Sequence, residues 1–151
     1  MREEKGMGII QIILLSIIII IICIFAYKFI RSKIKSDTVV DIKANMLLIQ
    51  GKCKVLGQTS KANNNKDGLK GKKVSEMKDD NIISEFLSKN LIEEDKQENY
   101  YVLSDEDLES MGLEVKNEKK SYYIVNYETY DVFITKGYTD IETNEVIYKS
   151  E

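Results

Sequence analysis

The sequence predicts an α+β protein in which one long N-terminal helix, membrane-spanning in its first half, packs on a small antiparallel β-sheet head. Three observations predict it. Met7 to Ala26 is an uncharged apolar run. Asp37 to Lys61 keeps a helical apolar spacing, and no proline occurs anywhere in the chain. The last thirty or so residues hold three short runs rich in β-branched and aromatic residues, the composition of strands. The expected organisation is a leader over 1–6, a transmembrane helix over 7–27, an amphipathic extension over 28–60 and an α+β head over 61–151 ending in a β-meander.

The apolar run reads MGIIQIILLSIIIIIICIFA, with only Gln11 and Ser16 clearly polar. About twenty such residues at 1.5 Å each cross the hydrocarbon core of a bilayer. Isoleucine is a mediocre helix former in water. In lipid the backbone has no partner but itself, so helix is favoured regardless. A secretory signal would be shorter and would end in small residues at a cleavage site. This run instead continues into Tyr27-Lys28-Phe29-Ile30-Arg31.

Charge divides the remainder. From Lys28 to Lys54 there are seven Lys/Arg and two Asp, a basic collar of about +5. From Gln58 to Glu151 there are thirteen Lys and twenty-one Asp/Glu, a mildly acidic head of about −8. A nucleic-acid partner would call for the opposite sign on the head, so none is directly predicted.

The leader reads Met1-Arg2-Glu3-Glu4-Lys5-Gly6 and is followed by Met7-Gly8-Ile9-Ile10-Gln11. A short charged leader ending in Gly, then an uninterrupted apolar helix with one polar residue at its fifth place, resembles the signal of type IV prepilins and pseudopilins. The resemblance implies that a prepilin peptidase cuts between Gly6 and Met7 and that the new N-terminus, Met7, is methylated. Glycine suits the cut because a peptidase must approach the backbone closely. It further implies a pilin-like fold and partners: other pilin-like subunits, a membrane assembly platform of the type IV pilus or type II secretion kind, and membrane lipid. The family's fifth mature residue is usually Glu, whose carboxylate pairs with the N-terminal amine of a neighbouring subunit. Here it is Gln11, which offers a hydrogen bond without charge. That departure points to a minor or atypical subunit. The resemblance places the head outside the cytoplasm. The collar of Lys28, Arg31, Lys33 and Lys35 behind a nearly neutral leader would by itself place it inside. The alternative reading is an uncleaved single-pass protein with a small protein-interaction head.

Beyond the membrane, Val40, Ala44, Leu47, Leu48 and, a turn further, Val55 fall at the spacing of an amphipathic helix, whose second half is expected to carry the head. Gly51 and Gly57 weaken this helix, which is expected to run unbroken from Met7 to about Gln58. The other possibility is two helices joined near Ser32 to Asp37. Cys23 and Cys53, thirty residues apart on one helix, would lie about 45 Å apart and cannot bridge within one chain.

In the head, Ala62 to Gly71 reads as a polar loop. Its Asn63, Asn65, Asp67 and Gly68 mimic a calcium loop, but Val74 stands where a bidentate Glu is needed, so no metal is expected. Asp79 to Ile92 predicts a short helix capped by Asp79 or Asp80, with Ile82, Ile83, Phe86 and Leu87 on one face. Tyr100 to Leu103 predicts a strand. Ser104 to Asp107 predicts a capping box for a helix that stops at Gly112. The acids at Asp105, Glu106, Asp107 and Glu109 suit a first helical turn and need no cation. Ser121 to Tyr127, Asp131 to Thr135 and Glu145 to Lys149 predict an antiparallel meander. Its alternating Tyr123, Val125 and Tyr127 suggest one face under the helix and the other towards solvent or neighbours. Glu128-Thr129-x-Asp131-Val132 is echoed by Glu142-Thr143-x-Glu145-Val146, which places a similar turn before each of the last two strands. There is no histidine, no CxxC and no nucleotide-binding loop. No catalytic residues, no cofactor and no enzyme activity are expected.

Overall fold

The computed structural model of the protein describes residues 8–150, and at 32 and 34–37 the backbone alone. A single helix, α1, runs Ile9–Asn63. It thus passes through 32–37 without a break and ends five residues beyond the expected Gln58. The chain divides into two compact units between Thr38 and Val39.

In the first unit, side chains from Ile9 to Arg31 are exposed on every side of α1. The serine hydroxyl in this segment is satisfied locally: Ser16 Oγ donates to the Ile13 carbonyl at 2.7 Å. That bond removes a polar group that lipid could not solvate.

In the second unit, α1 meets a five-stranded sheet. The strands are β1 Lys72–Lys73, β2 Tyr100–Leu103, β3 Tyr123–Asn126, β4 Val132–Thr139 and β5 Val146–Lys149. They lie in chain order and every pair is antiparallel, so the sheet is a meander throughout. Between them stand α2 Asn81–Leu87 and α3 Asp105–Ser110, with short 3-10 helices at Val74–Met77 and Glu94–Asn99. The dipeptide β1, a charged edge strand, was not anticipated. Two lysines carry no strand signal, and their pairing with Val102 and Tyr101 is a tertiary contact.

The face of α1 that packs on this sheet is separate from the Val40 to Val55 stripe. Ile42, Met46, Ile49 and Cys53 are buried, whereas Val40, Leu47, Leu48 and Val55 remain 56–60% exposed. Residues 42, 46, 49 and 53 have the same helical spacing as the exposed set but point the opposite way. They join Leu103, Tyr123, Val125, Tyr127, Val132 and Ile134 in one core. The sheet's other side is also covered, correcting the expectation of a free face. Ile124, Phe133, Tyr100 and Val102 pack there on Val74, Ile83, Phe86 and Ile92. Phe133 receives the edges of Phe86 and Tyr100 at centroid distances of 5.8 and 5.9 Å. β3 is therefore buried on both faces, and the head is three layers deep: α1, sheet, α2.

Local signals place the connections. Asp80 Oδ1 accepts from the amides of Ile82 and Ile83 and caps α2. Ser104 and Asp107 exchange side-chain to backbone bonds, forming the expected capping box on α3. The sequence echo is two hairpins of one design. Asn126 Oδ1 accepts from the amides of Glu128 and Thr129, and Asp140 Oδ1 from those of Glu142 and Thr143. Each loop then passes through a left-handed residue, Tyr130 or Asn144, before its next strand. The loop after α1 is held by Tyr127, whose hydroxyl donates to the Lys70 carbonyl at 2.8 Å and accepts from the Lys70 amide at 3.1 Å.

The two glycines of the extension have opposite meanings. At Gly57 an added Cβ would strike the Tyr127 carbonyl oxygen, so glycine lets helix and sheet backbones touch. At Gly51 nothing lies within 4 Å. Gly57→Ala is expected to destabilise the head by about 2 kcal/mol, and Gly51→Ala to stabilise it by about 0.5–1 kcal/mol. Urea unfolding of the full chain in detergent, followed by tyrosine fluorescence, checks both signs.

Candidate assembly surface on the N-terminal helix

Gly6 and Met7, the residues expected to carry processing, lie outside the described residues. Gln11, expected to act in assembly, sits in the first turn of α1, where its amide donates to the Gly8 carbonyl at 2.8 Å. Its side chain is exposed. Within Ile9–Arg31 an eighteen-residue stretch reaches a mean hydropathy of 3.3, and none of that stretch is buried. A helix this long and apolar can span a bilayer by itself. Cys23 lies exposed within it and Cys53 lies in the head core, both as free thiols.

A second surface stands on the part of α1 that belongs to the head. Val40, Ala44, Leu47, Leu48, Gly51 and Val55 are all exposed. At 100° per residue they fall within about a third of the helix circumference. The stripe is opposite the buried Ile42, Met46, Ile49 and Cys53. The sequence shows Val40, Ala44, Leu47, Leu48 and Val55 as an amphipathic spacing without saying which side of the helix meets the sheet. The signal that could have separated the faces is Gly57, which is in phase with Met46 and Cys53 and marks the side of close backbone approach.

One groove of the head, about 660 Å³, is lined by residues including Asp80, Glu85, Lys89, Lys119, Lys136 and Tyr148. The acids around it are engaged: Asp80 caps α2, Glu85 meets Lys89 at 3.2 Å and Glu118 meets Lys136 at 3.7 Å. Among the described residues no group of His, Cys, Asp or Glu is arranged to hold a metal ion. Burial pushes the Cys53 thiol up from 9.0 to about 12, which keeps it protonated and unreactive at neutral pH. Against known proteins, no family model, no curated protein and no solved structure matches this chain.

The Cys53 thiol gives a pH signature. Its raised folded-state value means the unfolded chain loses this proton first as pH rises. Its stabilising contribution is full below pH 9 and is lost as the pH climbs towards about 12. Replacing Cys53 by Ala is expected to flatten that alkaline decline in an unfolding series, and Cys53 is expected to resist maleimide at pH 7 until the head unfolds.

Proposed function

We propose that the protein is a minor or atypical pilin-like subunit of a type IV pilus or type II secretion-like filament. The observation that supports this reading most is α1 itself. One helix begins as an uncovered apolar segment from Ile9 to Arg31 and continues to Asn63, where it carries the head. On this reading a prepilin peptidase cuts the membrane-held precursor between Gly6 and Met7, and Met7 becomes the methylated N-terminus. Subunits leave the bilayer by packing their Ile-rich helices against one another, since side-chain packing rather than water exclusion drives helix association in lipid. Gln11, exposed in the first turn, offers its amide oxygen to the N-terminal amine of a neighbour. It lacks the charge that would make that bond strong, as befits a subunit used sparingly.

One observation favours a second reading, an uncleaved single-pass protein whose head docks a partner in the cytoplasm. Lys28, Arg31 and Lys33 follow the apolar run at once and are exposed, the arrangement that retains a flank on the cytoplasmic side.

Sequencing the N-terminus of the protein expressed beside a prepilin peptidase separates the two. A Met7 start, lost on Gly6→Val, is the expected result; an intact Met1 that the peptidase leaves untouched would sink the filament reading. Gln11→Glu is expected to preserve or increase filament incorporation, measured by immunogold counts or shearing assays, because it restores the charge that pairs with the amine.

A further inference from the structure

We propose that the end of the apolar run holds one anionic glycerophospholipid, with an acyl chain against Ile22, Phe25, Ala26 and Phe29 and the phosphate held by Lys28 and Lys33. The proposal rests on insertion of the first segment in a bilayer. It is independent of leader cleavage and of the side of the membrane on which the head lies.

The site starts from a notch. Ile22, Phe25, Ala26, Lys28 and Phe29 line a shallow groove of about 650 Å³ on α1. The four apolar members fall within about 100° of the helix circumference. Ala26 is the small one, and its methyl leaves a hollow beside the two rings, room in which an alkyl chain can lie along the helix. Ile22, Phe25 and Phe29 are each at least 60% exposed, so the hollow is open to the surrounding medium.

Depth and charge choose the occupant. From Ile9 to Phe29 the helix rises about 30 Å, the thickness of the hydrocarbon core of a bilayer. The notch therefore lies among the upper acyl chains, with Lys28, Arg31 and Lys33 at headgroup level. Lys33 stands four residues after Phe29 and seven after Ala26, on the notch's own face and about one turn above the Phe29 ring. Cβ atoms tilt back towards the helix N-terminus, so its stem leans over the notch. Lys28 borders the groove from the other side, and its stem is long enough to carry the ammonium to the interface. Both lysines are exposed. No Asp or Glu stands between Lys5 and Ser36, so no carboxylate on this stretch competes for them. A zwitterionic headgroup carries its own cation beside the phosphate; an anionic headgroup does not, and the paired ammonium groups favour it. Arg31 belongs to the same collar but projects nearly opposite the notch, so it separates a site from a diffuse attraction.

Native mass spectrometry tests the proposal on the full-length chain, without peptidase. The protein is reconstituted in vesicles of phosphatidylcholine with a minor share of phosphatidylglycerol, then released into mild detergent. One phosphatidylglycerol is expected to stay bound, enriched over phosphatidylcholine relative to the vesicle. Lys33→Gln is expected to lower that enrichment about fivefold. Arg31→Gln, the same loss of charge on the opposite side, is expected to leave it unchanged. Ala26→Leu fills the notch and is expected to lower retention with both lysines in place. Vesicle flotation and circular dichroism confirm that each variant is inserted and helical. Equal losses for Lys33→Gln and Arg31→Gln would overturn the proposal in favour of a diffuse charge effect. Phosphatidylglycerol retained no better than phosphatidylcholine, or retention indifferent to Ala26→Leu, would overturn it as well. Because the chain is uncleaved in this experiment, its outcome is separate from that of N-terminal sequencing.

Discussion

Everything in the head is arranged around the contact between one face of α1 and the sheet. Ile42, Met46, Ile49 and Cys53 descend that face and meet Tyr123, Val125, Tyr127, Val132 and Ile134. Each fully buried side chain of this kind contributes about 2 kcal/mol, so four of them rival the whole net stability of a small domain. The contact also fixes local choices elsewhere. Gly57 must lack a side chain because the Tyr127 carbonyl occupies its space. Tyr127 in turn holds the loop that leads from the helix to β1. Gln50 reaches the Tyr130 carbonyl at 3.1 Å, tying the helix to the first of the two matching hairpins.

The same helix has a different surface at its start. From Ile9 to Arg31 it is apolar all round, the pattern of a segment surrounded by lipid. Within the head it is apolar on two opposite sides, and only one of these is covered. A helix that needed only to hold a sheet would be polar on its outer side. Here the outer side keeps Val40, Leu47, Leu48 and Val55 more than half exposed. Of the ion pairs among the described residues, Lys73 with Glu98 and Lys96 with Glu93 join exposed side chains, and the others keep at least one partner exposed. Pairs of that kind contribute little, so cohesion in the head rests on its two apolar clusters.

Much of this was legible in the residues. The uncharged run, the Asp80 cap, the Ser104 to Asp107 box and the C-terminal strands are local signals, and local signals survive folding. The repeated Glu-Thr turns were visible as an echo, although the Asn126 and Asp140 side chains that organise them became clear only from their hydrogen bonds. The inward face of α1 was not legible. Two apolar stripes half a turn apart have the same period, and periodicity reports spacing without saying which side meets the sheet. The covering of both sheet faces was missed for a related reason, since Tyr123, Val125 and Tyr127 alternate whether or not a second layer lies behind them. Of the residues tied to assembly, Gln11 is placed in the first turn of α1, while Gly6 and Met7 fall outside the described residues.

The central claim is that α1 presents one apolar face to its own head and keeps the other free. Adjacent residues test it, because Met46 is 1% exposed and Leu47 is 58% exposed. The measurement is the unfolding free energy of Met46→Ala and Leu47→Ala in full-length protein, in detergent dilute enough to keep it monomeric. The account predicts a loss of about 2–5 kcal/mol for Met46→Ala and a change within about 0.5 kcal/mol for Leu47→Ala. Equal losses, or a larger loss at Leu47, would contradict it.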